Sequence, residues 1–280
     1  MAAGARAMSG DATLPGHARV VIIGGGVIGC SVAYHLTKLG WQDVLLLERR
    51  QLTSGTTWHA AGLLTTLRDT ETQTKLAKYT QELYRRLEAE TGQATGLIPC
   101  GSIQLAITPD KAIEMRRGVK LARSFAVEAH EMSPAEVQRL WPLAAVGDLQ
   151  AAFHFPNDAR VNPTDVTQAL AKGARQGGAR IIEHTPVTGI LIDKGRVVGV
   201  ATARGEVRAE YVVNCAGMWA REVGRLAGVS VTGRTLAWFR SRNIYVMAWG
   251  ELKRVFSVGN LIIIEGELLL HPQPGLINQE

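Results

Sequence analysis

The chain has 280 residues, 46% of them apolar and 20% charged, with 31 basic against 25 acidic side chains. That composition excludes a disordered chain, a collagen and a disulfide scaffold, and at about 100–200 residues per domain the length allows one large domain or two modest ones. Lys and Arg are scattered, with no cluster longer than pairs such as Arg49-Arg50 and Arg116-Arg117, so the net charge of +6 reads as a solvated basic surface or a small-anion site, with no nucleic-acid partner expected.

Residues 1–16 read as a small, polar, flexible N-terminal tail, with no apolar stretch for a secretory signal and only a weak mitochondrial presequence. Arg19–Ile23 is an apolar, β-rich run followed at once by Gly24-Gly25-Gly26. Apolar positions recur at helical spacing from Val27 to Leu39, Gly40 supplies a stop, and Asp43–Glu48 reads as a second buried strand. Gln51–Thr66 is loop-like. Gln73–Glu90 is an amphipathic helix ended by Gly92, Gly101–Ile107 alternates like a strand, and Lys111–Val127 is helical. Ser133-Pro134-Ala135-Glu136 has the form of a capping box opening a helix to Leu140, and Asn162-Pro163-Thr164-Asp165 opens another to Gln176. Strands at 190–193, 196–203 and 207–213 form a meander, and a helix over Trp219–Ala227 follows Asn214-Cys215-Ala216-Gly217. Further on, Asn243–Trp249 and Leu261–Leu270 have strand character, and no apolar run is long enough for a membrane span. Cys30, Cys100 and Cys215 are few and far apart, as in a reducing compartment. No histidine pair has metal-ligand spacing, so no metal is expected, and there is neither a Walker lysine nor a nucleophile elbow.

The chemistry concentrates in Gly24-x-Gly26-x-x-Gly29 between strand and helix. Gly24 permits a tight turn, Gly26 lets backbone approach a pyrophosphate, and Gly29 allows close helix–strand packing. The amides of Val27 and Ile28 lie in the helix's first turn, where free N–H groups and the helix dipole favour an anion. Glu48 ends the second strand about 20 positions on, where a carboxylate would accept ribose hydroxyls. Strand, helix, strand and acid together predict a dinucleotide site on a Rossmann-like α/β domain. The meander, and a second glycine turn at Ala216-Gly217, favour FAD over NAD.

The strings VVIIGGGVIGCSVAYHL, LLLERRQLTSGTTWHAAGL, ETG, VNP, PVTGI and VVNCAGMWA carry a resemblance. From Ala18 to Val231 the chain resembles the N-terminal part of FAD-dependent amine oxidoreductases of the D-amino-acid-oxidase type, above all the sarcosine and dimethylglycine dehydrogenases. The resemblance implies that His59, in Trp58-His59-Ala60-Ala61-Gly62-Leu63, carries the flavin covalently; imidazole is a nucleophile that can be neutral near pH 7. Gly55, Ala60, Ala61 and Gly62 would let backbone lie against the isoalloxazine, while Ser54, Thr56 and Thr57 offer donors to phosphate or ribityl oxygens. Val187 matches a backbone position at the adenine, Trp219 follows the second glycine turn, and Arg49 stands at the ribose or phosphate end. No catalytic residue is assigned; Arg68 and Arg160 are either carboxylate anchors or surface charges.

On this reading residues 17–67 and 158–231 form the FAD-binding domain, residues 68–157 begin an inserted α+β substrate domain, and residues 232–280 are a divergent, truncated part of that domain. The implied reaction is oxidation of a small N-methyl amine such as sarcosine or dimethylglycine, with the electron acceptor open and folate involved only through a region absent here. Two alternatives stand beside it: a non-catalytic relative resembling the pyruvate dehydrogenase phosphatase regulatory subunit, a type that lacks the histidine, and an inactive truncated fragment. The expected compartment is cytoplasm, with mitochondrial matrix as the alternative.

Overall fold

The computed structural model describes residues 13–68 and 70–229, and the backbone of 250–258 and 261–268. In chain order its elements are β1 (His17–Ile23), α1 (Val27–Lys38), β2 (Val44–Leu47), β3 (Leu63–Leu64), α2 (Glu71–Thr91), β4 (Ser102–Ala106), α3 (Pro109–Ser124), β5 (His130–Met132), α4 (Pro134–Leu140), β6 (Ala151–Phe155), β7 (Ala159–Arg160), α5 (Pro163–Gln176), β8 (Arg180–Ile182), β9 (Val187–Asp193), β10 (Arg196–Thr202), β11 (Gly205–Asn214), α6 (Ala220–Leu226), β12 (Gly250–Val258) and β13 (Leu261–Leu268). The chain divides into two compact units, with boundaries between Ala61 and Gly62 and between Val166 and Thr167. Most of the expected tail, and the expected strand at 243–249, lie outside the described residues.

The first unit is built on a sheet of order β12-β13-β11-β1-β2-β8, in which every neighbouring pair except β12–β13 is parallel. Strands covered on both faces carry unbroken apolar runs. Accordingly Val20, Val21 and Ile22 pair with Val44, Leu45 and Leu46 on one side and with Tyr211, Val212 and Val213 on the other. Leu45, Leu46, Val21 and Val212 are fully buried, and each such side chain contributes roughly 1.5–3 kcal/mol by leaving water. The first half of β11 turns away to pair antiparallel with β10, and β10 with β9, giving the meander. The hairpin β12–β13 belongs to this unit's sheet, with β13 parallel to β11 at Val212–Asn214. Helix α1 buries Gly29, Cys30 and Ala33, small residues in its first turns that permit close approach to the sheet, together with Tyr34. Because β1, β2 and β11 are parallel, the segments after Ile23, Leu47 and Asn214 all emerge at one edge, the edge where open α/β sheets bind ligands.

The second unit contains an antiparallel sheet of order β4-β6-β5 and a short β3–β7 pair. Its core gathers Phe153, Phe155, Met115 and Val119. Gly92 closes α2 as expected, in the left-handed region at φ 64°, and the helix begins two residues before the expected Gln73, where Thr70 accepts from the Gln73 amide. Ser133 and Glu136 form a reciprocal capping box on α4. The helix expected over 111–127 is α3 at Pro109–Ser124, capped by Thr108 and closed by Ala126 at φ 52°. Asp158 is a buried carboxylate whose partners among the described residues are neutral donors: the Thr66 amide and hydroxyl, each at 2.9 Å, and the Ser102 hydroxyl at 2.6 Å.

Candidate functional site

The turn after β1 is shaped by the absence of side chains. Gly24 has φ 113°, its amide donates to the Leu47 carbonyl at 2.9 Å, and a Cβ there would run into the Cys215 carbonyl. A Cβ on Gly29 would run into the Gly24 carbonyl, so α1 can seat on β1 only with glycine at 29. Gly26 differs: a Cβ there would meet only Thr57 Oγ1, at 3.0 Å, and otherwise open space. That opening lies beside the first turn of α1, where the Val27 amide already donates to Thr57 Oγ1 at 3.1 Å and Ile28 is exposed. Open backbone at a helix N-terminus fits a diphosphate.

Glu48 is buried at the end of β2. Its Oε2 accepts the Gly25 amide at 2.6 Å and its Oε1 accepts the Arg50 amide at 2.8 Å. Two amide bonds fix the plane of the carboxylate, and each oxygen keeps a lone pair for a ribose hydroxyl. Beyond it the chain folds back under the glycine turn: the Thr53 amide donates to the Gly25 carbonyl at 3.0 Å, and Thr53 sits at φ 69°. Thr57–His59 is a single 3-10 turn. Thr57 is buried; Ser54, Thr56, Trp58, His59, Ala60 and Ala61 are exposed, and Gly55 is half-buried. The His59 ring packs edge-to-face against Trp58 with centroids 3.8 Å apart. Gly62 and Leu63 lie in the second unit, where the Val161 amide donates to the Gly62 carbonyl and Leu63 pairs with Arg160.

The turn after β11 meets the same loop. Gly217 has φ 56°. The Trp219 ring reaches to 3.5 Å of where a Cβ on Gly55 would stand, and the Arg49 guanidinium lies 3.8 Å over that ring. Val187 begins β9, half-buried and paired with Thr202. The predicted residues of the first unit therefore converge from three segments; Val187 stands apart at the start of the meander. Arg68 is half-buried and donates to Thr65 Oγ1 and the Leu67 carbonyl, both at 2.8 Å, while Arg160 is exposed.

Two supporting residues escape the motif. Asn214, wholly buried, accepts the Ala216 amide at 3.2 Å and donates to the Ala220 carbonyl at 2.8 Å, and so builds the second turn. Glu183 accepts the Leu52 amide at 2.6 Å and anchors the loop from below β8. An Asn after an apolar strand and an acid just past one are the available signals, and neither belongs to the glycine fingerprint. Cys30 and Cys215 are inert in place: burial pushes both thiols up to about 12. No group of side chains among the described residues could hold a metal, and no helix there is long and apolar enough to cross a membrane.

A parallel sheet with a glycine turn, a buried acid at the end of the second strand and an antiparallel meander defines a Rossmann-like α/β unit. The chain belongs to the FAD dependent oxidoreductase family, whose model matches residues 19–261. It is 46% identical over 211 residues to the mitochondrial pyruvate dehydrogenase phosphatase regulatory subunit of Mus musculus, covering 75% of this chain and 24% of that protein. It is also 46% identical over 224 residues to the mitochondrial sarcosine dehydrogenase of Homo sapiens, covering 78% and 24%. Among solved structures, L-proline dehydrogenase from P. horikoshii superposes with a TM-score of 0.73 at 28% identity, covering 79% of this chain and 58% of that one. The chain spans about a quarter of the length of these curated relatives.

Proposed function

We propose that the chain carries the FAD-holding part of an amine dehydrogenase or oxidase acting on N-methyl amino acids such as sarcosine or dimethylglycine, with the flavin bound covalently through His59. The observation that carries this is the exposed His59 on its 3-10 turn, one short loop away from the open backbone at Gly26 and the fixed carboxylate of Glu48. In the proposed complex the first-turn amides of Val27 and Ile28 and the hydroxyls of Ser54, Thr56 and Thr57 bind the phosphate and ribityl oxygens. Glu48 holds the ribose, and backbone at Val187 meets the adenine. The small residues Gly55, Ala60 and Ala61 would admit the ring system, and a His59 ring nitrogen would bond the flavin 8α carbon in place of one C–H bond, whose proton passes to solvent and whose electron pair reduces the flavin until oxygen reoxidises it. The bound flavin supplies the two-electron acceptor for a hydride from the substrate's methyl carbon. Similarity to human sarcosine dehydrogenase and to 4-methylaminobutanoate oxidase of Paenarthrobacter nicotinovorans supports an N-methyl amine as substrate. The mitochondrial relatives are compatible with the mitochondrial alternative to the cytoplasm.

Expression with flavin followed by acid precipitation tests the attachment: the pellet stays yellow and the His59 peptide carries the flavin mass. A colourless pellet and an unmodified peptide overturn it. Anaerobic addition of sarcosine or dimethylglycine then bleaches the visible band. A second reading, a non-catalytic regulator, draws on the equal identity to the mouse regulatory subunit. Its mark is a stable flavin band that neither amine bleaches.

A further inference from the structure

Thr53 stands in the left-handed region at φ 69°, buried, in the loop between β2 and the 3-10 turn of His59. A β-branched residue takes that conformation only under strain, and the strain persists only where the surroundings hold it. The holders flank it. Before it, the Leu52 amide donates to Glu183 Oε1 at 2.6 Å, and the buried Leu52 side chain fills the space over Gly25 that a Cβ would occupy. After it, the Ser54 amide closes a turn on the Gln51 carbonyl at 3.2 Å, while the amide of Thr53 itself donates to the Gly25 carbonyl. Glu183, just past β8, is the charged member of this set, and a hydrogen bond to a carboxylate is roughly twice as strong as a neutral one. Beyond Thr53 the next tie to the glycine turn is a single neutral bond, from the Val27 amide to Thr57 Oγ1 at 3.1 Å. Release of Leu52 would let Thr53 relax and leave that one bond to hold the turn that presents His59.

We propose that Glu183 is a positioning residue for attachment of the flavin: by fixing Leu52 it keeps Thr53 in its left-handed turn, and that turn aims the segment ending at His59. This rests on the reading of His59 as the attachment point, where a ring nitrogen replaces one hydrogen of the 8α carbon, the proton goes to solvent and the electron pair passes through the flavin to oxygen. Glu183 acts on that step only through the loop. Reversible binding has other supports: Glu48 is fixed by the amides of Gly25 and Arg50, and the open backbone at Gly26 needs no acid from β8. Bond formation is far more sensitive than binding to a small misplacement of one reacting atom, so loss of Glu183 slows attachment more than it weakens affinity.

The experiment uses the 280-residue chain purified from a riboflavin-limited host. FAD is added in air and acid-stable flavin on the His59 peptide is followed over time; FAD affinity is measured separately, by flavin fluorescence in a His59→Ala background. Glu183→Ala is expected to slow attachment roughly tenfold or more while FAD affinity stays within about threefold. Glu183→Gln still offers an oxygen to the Leu52 amide and keeps the attachment rate within about threefold. Asn enters the left-handed region with less strain than Thr, so adding Thr53→Asn to Glu183→Ala brings attachment back to within about threefold of the unaltered chain. An unchanged attachment rate in Glu183→Ala overturns the inference. Equal losses of rate and affinity overturn it too, because Glu183 would then be a prop for the whole site. A double variant no faster than Glu183→Ala overturns the route through Thr53. If the unaltered chain binds FAD without attaching it, the reading of His59 falls; if it attaches flavin and Glu183→Ala does so equally fast, only the present inference falls.

Discussion

The turn after β1 and the turn after β11 leave neighbouring parallel strands at one edge of the same sheet, and they are held by opposite means. The first depends on missing atoms: Gly24 and Gly29 succeed because a Cβ would strike the backbone carbonyl of Cys215 or of Gly24 itself. The second depends on a side chain, the buried Asn214, which bridges the Ala216 amide and the Ala220 carbonyl. Around Gly217 nothing stands nearer than Thr56 Oγ1 at 3.8 Å, so only its φ of 56° favours glycine. A backbone that must be approached closely demands glycine absolutely, whereas a backbone that must only be bent accepts a hydrogen-bonding side chain beside it.

Substitutions should separate the two designs. Gly29→Val is expected to have the largest effect, about 3 kcal/mol or more, because backbone rather than a movable side chain blocks the new atoms. The urea midpoint measures it, and a loss below about 1 kcal/mol would sink the steric account of the first turn. Asn214→Ala comes next, at about 2 kcal/mol, since it strands a part-buried amide and a buried carbonyl. Asn214→Asp keeps the acceptor but sets a buried acid against the Ala220 carbonyl, so its thermal midpoint should fall at least as far as that of Asn214→Ala. Gly217→Ala should cost only about 1 kcal/mol, and Gly217→Asn less, because Asn tolerates the left-handed region. The reverse order at Gly217 and Gly29 would dissolve the contrast.

The smallest effect is chemical. With the Cys30 and Cys215 thiols at about 12 in the fold, iodoacetamide at pH 8 should label the exposed Cys100 and spare both of them. The unfolded chain sheds these protons near 9.0, so their contribution to stability is intact below that pH and declines as pH rises from about 9 to 12. Alanine at either position should flatten that alkaline decline in a pH series of denaturation midpoints.

Much of the first turn is legible in the sequence because its demands are local. The run Arg19–Ile23, three glycines, a helical period and the strand before Glu48 are contiguous, and they map onto β1, α1 and β2. The caps of α2 and α4 are equally local. What the sequence hides is partnership. That β11 lies beside β1 and β8 beside β2 depends on residues far apart in the chain, and β8, only three residues long, has too few positions to show a period. Asn214 and Glu183 have the same cause: each is an ordinary polar residue until a distant amide arrives beside it. The stack of Arg49 on Trp219 joins positions 170 apart and has no sequence signature.

Asp158 of the second unit carries a consequence for the order of events in folding. Its carboxylate is satisfied only when Thr66, 92 positions away, and Ser102, 56 positions away, have both arrived. Until then a charge stays in water at no cost, and the neighbouring β3–β7 pair, itself a long-range contact, has little to hold it. Separations this long predict a cluster that forms late and closes the unit rather than starting it. Asp158→Asn should therefore leave the refolding arm of a chevron nearly unchanged and steepen the loss on the other side, with unfolding faster by about tenfold or more. A slowed refolding arm would instead place this cluster in the nucleus.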